Sequence, residues 1–300
     1  MTATRLLQGA ALATVLVVSR PVAGHGQAIQ RTVYVSALDQ NGAPVSSLSP
    51  PDVVVREDNV AREVLSIARA VEPMHLALLV DNSQAAEPYI RDYREALPAF
   101  ISAVLGDDSG AKHQISIVTL AERPTIITDY TTDAARLADG AGRLFAIPGS
   151  GTYLLDGLIE ISQGIRKRNF SRPVIVAITT EGPEMSDRVY QSVLEPLRES
   201  GAAFHVIVVG NPSNPAYDRS IVLDQGTREG GGRYDTLLTG NALTSRLKQV
   251  AAELTHQFRV TYARPQTLIP PDRVTVASGR EGLTVRGIAA RDTGEPERRP

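Results

Sequence analysis

Three short polar stretches of this 300-residue chain follow or precede apolar runs and carry oxygen-bearing side chains. The first is Asp81-Asn82-Ser83-Gln84-Ala85, directly after the run 75–80. The second, Gly149-Ser150-Gly151-Thr152, opens onto Leu154, Leu155 and Leu158. The third, Thr180-Glu181-Gly182, ends the run 173–179. The hydroxyls, amides and carboxylates of these stretches, set at the ends of apolar runs, are the polar groups from which a ligand site at a strand end is built.

Other chemistries find less support. Gly149-Ser150-Gly151 lacks the G-x-S-x-G of a nucleophile elbow. A dinucleotide fingerprint would need a small residue where Leu154 stands, and no G-x-x-x-x-G-K-[ST] phosphate loop is present. His25, His75, His113, His205 and His256 show no ligand spacing, and the absence of Cys rules out disulfides, thiolate metal sites and cysteine nucleophiles. Glu181, Glu184 and Asp187 could divide acid and base roles between them, as in a glycosidase, but three carboxylates on one loop are usually solvated charge. The expectation is a non-enzymatic protein. A net charge of −2 and the absence of Trp argue against nucleic acid as a partner. Arg166-Lys167-Arg168 reads as cations placed near a negative helix C-terminus.

The elements that must position the three stretches follow from periodicity. Residues 75–80 and 173–179 are continuous apolar runs, as in strands buried on both faces, and 114–120, 125–128 and 204–209 read as further strands. Helical stretches are predicted over 87–105 (with a kink at Pro98), 134–145, 153–166, 187–200 and 242–257. Strands alternating with helices imply an α/β, doubly wound, mostly parallel sheet. In such sheets ligands sit beyond the carboxyl ends of the strands, where Asp81 and Glu181 fall. Residues 29–71 and 258–290 alternate as strands, with turn signals at Asn41-Gly42 and Asp58-Asn59. They are expected to form one small flanking β unit, since either set alone would leave apolar faces and edges exposed.

The N-terminus has the form of a signal peptide over residues 1–28. Arg5 precedes an apolar run over 6–18 that is too short to span a membrane, and small residues follow, with cleavage after Gly24 or Ala28. The mature protein is therefore expected to be exported, periplasmic or extracellular, without a membrane span. The last ten residues, 291–300, are polar with two prolines and read as a disordered tail.

In this order on this background, the three stretches resemble the von Willebrand factor type A (VWA) domain and its metal-ion-dependent adhesion site over residues 72–257. The family pattern is Asp-x-Ser-x-Ser, a Thr in a Gly-rich loop, and Thr-Asp-Gly. Asp81, Ser83 and Thr152 match; Ala85 stands for the second Ser and Glu181 for the Asp. Val35-x-x-Leu38-Asp39-x-x-Gly42, Val55-x-Glu57-Asp58, Gly231-Gly232-Arg233-Tyr234 and Gln257-Phe258-x-Val260-x-Tyr262 are similar to the exported VWA-related proteins abundant in Acidobacteria. The resemblance implies a protein- or glycan-binding, adhesion-type module whose partner offers an acidic group to a divalent cation. Ala85 removes an oxygen and Glu181 lengthens a carboxylate, so two readings stand: a weak Mg2+ or Ca2+ site, or a polar remnant holding no metal. A structural subunit of a cell-envelope assembly, joined by strand addition, is the alternative from a different class.

Overall fold

The structure is a computed structural model that describes residues 28–211, 216–266 and 269–291. Residues 1–27 of the expected signal peptide (1–28) and residues 292–300 of the expected tail (291–300) lie outside the described residues. Among the described residues no helix is long and apolar enough to cross a membrane.

The central sheet is built by β5 (His75–Val80), β6 (Gln114–Thr119), β7 (Thr125–Thr131), β8 (Pro173–Thr180), β9 (Ala203–Val209) and β10 (Tyr234–Leu237). Their spatial order is β10-β9-β8-β5-β6-β7, with all neighbours parallel except β7 against β6. The α/β, mostly parallel sheet expected from the alternating pattern is thus present. Helices cover both faces: α1 (Ile90–Leu105), α2 (Ala134–Gly142) and α6 (Leu243–Thr255) on one, α3 (Leu154–Arg168), α4 (Tyr190–Ser200) and α5 (Tyr217–Glu229) on the other. The period-2 pleat explains the division. Leu76, Leu78 and Val80 meet Tyr93, Leu97, Phe100 and Leu247, while Ala77 and Leu79 meet Leu154, Leu158, Val193 and Val222.

Some boundaries shift from the sequence expectation. Residues 84–89 form a 3-10 turn before α1, and Pro98 is accommodated inside that helix. The whole of α5 and β10 is new. The segment Tyr217–Glu229 carries Ile221, Val222 and Leu223 side by side, a spacing that does not mark a helical face.

The chain ends supply a flanking β unit. In one sheet, β1 (Ala28–Leu38) lies between β13 (Thr284–Ala289) and β11 (Phe258–Pro265), with β4 (Val64–Arg69) beyond β11. A second sheet orders β12 (Val274–Ser278), β2 (Val53–Glu57) and β3 (Val60–Arg62). The two sheets share one apolar cluster of Val33, Val35, Val53, Val55, Phe258, Val260 and Tyr262. Asp58 and Asn59, at φ 47° and 68°, turn the chain between β2 and β3, as an Asp-Asn pair can because both residue types tolerate positive φ.

A buried hydrogen-bond network and one ion-paired cluster lock this unit to the central domain. Arg172 donates to the carbonyls of Glu72 and Leu254 and to Gln257 Oε1, all at 2.9 Å, and Gln257 Nε2 donates to Ser36 Oγ at 3.1 Å. Glu253 of α6, 1% exposed, takes both its oxygens to Arg286 of β13 at 2.8 Å, with Arg233 3.6 Å away. A Cβ on Gly231 would lie 2.4 Å from the carbonyl oxygen of Gly287, and Gly231 has φ +64°. Only glycine serves there, on both counts.

Candidate functional site

Strand order places a topological switch beside β5. From β5 the chain moves to β6 and β7 on one side, then returns to β8, β9 and β10 on the other. The crevice at such a reversal, beyond the carboxyl ends of β5 and β8, is where open α/β sheets bind ligands. Asp81 follows β5 directly, and Glu181 follows β8.

Asp81 is fully buried and organises the floor of the crevice. Its Oδ1 accepts from the Ser83 amide at 2.9 Å. Its Oδ2 accepts from the Thr180 amide at 3.1 Å and from Thr180 Oγ1 at 2.6 Å. A carboxylate held by three donors is fixed in place. It ties the loop after β5 to the end of β8.

The Gly-rich loop is drawn in by backbone bonds. The Thr152 amide donates to Pro183 O at 2.9 Å, and the Met185 amide donates to Thr152 O at 2.7 Å. Gln84 contributes twice, its amide donating to Ser150 O at 3.3 Å and its Oε1 accepting from the Gly149 amide at 2.8 Å. Gly182 is packed so closely that a Cβ there would lie 2.4 Å from Ala85 Cβ and 3.8 Å from Ser83 Oγ. The loops bearing Asp81, Ser83, Thr152 and Glu181 therefore form one knitted surface.

Two residues in this surface carry roles that the sequence reading did not assign. Asn82 Oδ1 accepts from the amides of Leu120 and Ala121, at 3.2 and 2.9 Å, and its Nδ2 donates to Phe145 O at 3.2 Å. One side chain thus braces the ends of β6 and the approach to the Gly-rich loop. Arg219, in the first turn of α5, is 2% exposed. Its Nη2 donates to Thr180 O at 2.6 Å and Thr179 Oγ1 at 3.3 Å, and its Nη1 stands 3.6 Å from Glu181 Oε2. Asn82 lies within the polar stretch 81–85, but the backbone groups it braces, at residues 120, 121 and 145, are brought together only by the fold. Arg219 gave no signal, because its helix gave none.

The atoms decide how well a divalent cation is served. Ser83 Oγ and Thr152 Oγ1 are buried without a hydrogen-bond partner, as hydroxyls awaiting a metal or a ligand would be. The remaining donors do not complete a shell. Ala85 brings a methyl group and Glu181 is ion-paired to Arg219. Asp81 already accepts three hydrogen bonds. Ser150 Oγ donates to Ile147 O at 2.8 Å and is committed elsewhere. Among the described residues no three acidic or histidine side chains converge as a metal cluster. The residues present do not fit a divalent ion in the way an intact adhesion site would. Nearby, burial pushes the Glu184 carboxyl up, opposed by hydrogen bonds from Ser186.

Around the crevice the loops expose apolar side chains: Phe145 is 62% exposed, Met185 53%, Val189 58% and Tyr217 73%. The amide of Tyr190 donates to Asp218 Oδ1 at 2.8 Å, which joins the Val189 and Tyr217 segments. The surface is a polar floor with an apolar rim.

No family model matches the chain, and no curated relative matches it. Similarity is found among solved structures. A von Willebrand factor type A protein from Catenulispora acidiphila is 12% identical, with a TM-score of 0.49 over 90% of this chain and 76% of that one. Proximal thread matrix protein 1 from the mussel byssus is 16% identical, with a TM-score of 0.48 over 70% of this chain and half of its own. The vWF domain of the type V pili tip protein Mfa5 from Porphyromonas gingivalis is 11% identical, with a TM-score of 0.45 over 61% of this chain and 95% of its own. These likenesses concern the fold alone, and the strand order stands without them. The sheet order, the helices on both faces and the crevice at the switch point give the chain an α/β fold with a mostly parallel six-stranded sheet, the architecture that the resemblance to the von Willebrand factor type A domain implies.

Proposed function

We propose that the chain is an exported, non-enzymatic binding module of the VWA type, taking a protein or glycan ligand on the face at the carboxyl ends of β5 and β8. The observation that carries this reading is the rim of exposed apolar side chains, Phe145, Met185, Val189 and Tyr217, around buried, unpartnered Ser83 Oγ and Thr152 Oγ1. Apolar side chains gathered at the border of a polar crevice mark a docking surface rather than ordinary surface chemistry. The adhesion site beneath it is degenerate, with Ala85 and Glu181 in place of the family's Ser and Asp.

The test is a paired one. Mature protein is applied to a glycan array and to an array of purified cell-envelope proteins, beside the Phe145→Ser/Met185→Ser variant. Both side chains are exposed, so the melting temperature should stay nearly unchanged. Binding by the variant should fall at least about tenfold, roughly 1.4 kcal/mol, as expected for anchors at an interface centre. Equal binding by the two proteins would remove the rim from the interface and sink this reading.

A structural subunit joined by strand addition is a second reading. It is favoured by β4, an edge strand with Leu65 43% exposed. A stable oligomer on gel filtration, dispersed by Leu65→Lys, would favour that reading, and a monomer favours the binding module.

A further inference from the structure

Arg219 occupies an unusual place. It is 2% exposed, and its guanidinium is held by Thr180 O and Thr179 Oγ1 while facing Glu181 Oε2. A guanidinium does not lose its proton in a protein, so this is a permanent positive charge. Burying such a charge is tolerated only when it is paired and hydrogen-bonded, and both conditions are met from residues 179–181. Those residues belong to the stretch that would hold a metal ion in an intact adhesion site, on the resemblance drawn above.

We infer that Arg219 supplies, as a tethered side chain, the positive charge that a divalent cation supplies in an intact adhesion site. The face is then assembled and ready to bind without any metal. Two negative charges converge on the floor, from Asp81 and Glu181. One is balanced by Arg219, and the other is held by three hydrogen-bond donors from Ser83 and Thr180. A divalent ion entering beside the fixed guanidinium would meet like-charge repulsion, and it would find a methyl group at Ala85 where the family offers an oxygen. Restoring oxygen at position 85 and shortening position 181 is therefore insufficient while Arg219 remains. This inference rests on the same face as the proposed function, yet it concerns ions rather than ligands.

Thermal unfolding and calorimetry with Mg2+ and Ca2+ alone test it. The wild-type melting temperature should be the same in EDTA and in millimolar Mg2+ or Ca2+, and Arg219→Lys should behave likewise because it keeps the charge. Ala85→Ser/Glu181→Asp should show no measurable Ca2+ binding. Adding Arg219→Gln to that pair should create it, with affinity at least tenfold above the pair and a rise in melting temperature on adding Ca2+. Stabilisation of the wild type by either ion would overturn the inference. So would equal Ca2+ affinity of the double and triple variants, whether both bind or neither does. Should the triple variant not fold, the wild-type and Arg219→Lys titrations decide by themselves. Loss of ligand binding in the Phe145→Ser/Met185→Ser variant is a separate readout, so failure of the binding reading and failure of this one are distinguishable.

Discussion

Deletion of residues 258–300 is expected to strip β1 and β4 of hydrogen-exchange protection while β5, β6 and β8 keep theirs. The reason is connectivity. β1 pairs with β11 along Ala28–Val35 and with β13 along Val33–Leu38, so the deletion removes both neighbours at once. β4 pairs with β11 from Val64 to Arg69 and sits at the sheet edge, so it too loses its ladder. Phe258, Val260 and Tyr262 leave the shared cluster as well, and each buried side chain of this size contributes about 1.5–3 kcal/mol. What remains of the unit, chiefly the β2–β3 hairpin, is below the size that holds together in water. The central sheet has its own two-sided core and should survive. Exchange measured by mass spectrometry on both forms reads this directly. Protection of residues 31–38 at the full-length level after truncation would show that the N-terminal strands do not depend on the C-terminal ones.

Glu253→Ala should be the most damaging single change at the junction, with a cost of about 3 kcal/mol. The substitution leaves Arg286 without its two 2.8 Å bonds, in a region where Glu253 is 1% exposed, while Arg233 keeps its pairing with Asp235 at 3.2 Å. Removing one member of a buried pair is costly because the other charge stays buried and unpaired. Arg286 is 25% exposed and can recruit water, which keeps the effect at the lower end of the usual range. Replacing both partners, as Glu253→Leu/Arg286→Met, should recover most of the loss, since an apolar pair of similar volume needs no charge compensation. Urea unfolding of the three proteins measures this. A cost below about 1 kcal/mol for Glu253→Ala would mean that the pair is solvated and locks nothing.

The crevice was legible in the sequence for a physical reason. Strands buried on both faces are written as unbroken apolar runs, and the polar residue ending each run is the one at the sheet's carboxyl edge. Asp81 and Thr180-Glu181-Gly182 announced themselves in this way, and the glycines before Thr152 marked a loop. The flanking unit was legible through Asp58-Asn59 and the alternation of Phe258, Val260 and Tyr262, although its division into two sheets was not. α5 was illegible. Its buried residues include Arg219, Val222, Leu223 and Thr227, and its apolar residues are adjacent rather than spaced by three or four. Packing against α4 and β9, not local pattern, makes it a helix. The cost of that omission was Arg219, the residue that most changes the chemistry of the site. Asn82 illustrates a different limit, since a loop brace is defined by backbone groups that a sequence does not bring together.

The binding face itself is tested most directly by a hydrogen-exchange footprint, taken with the tightest glycan or protein found on the arrays. Bound ligand should protect residues 82–86, 147–153 and 181–189, which the structure knits into one surface beyond β5 and β8. The footprint should be the same in EDTA and in Mg2+. Protection confined instead to β4, with those three loops unchanged, would contradict a binding function at the carboxyl edge of the sheet.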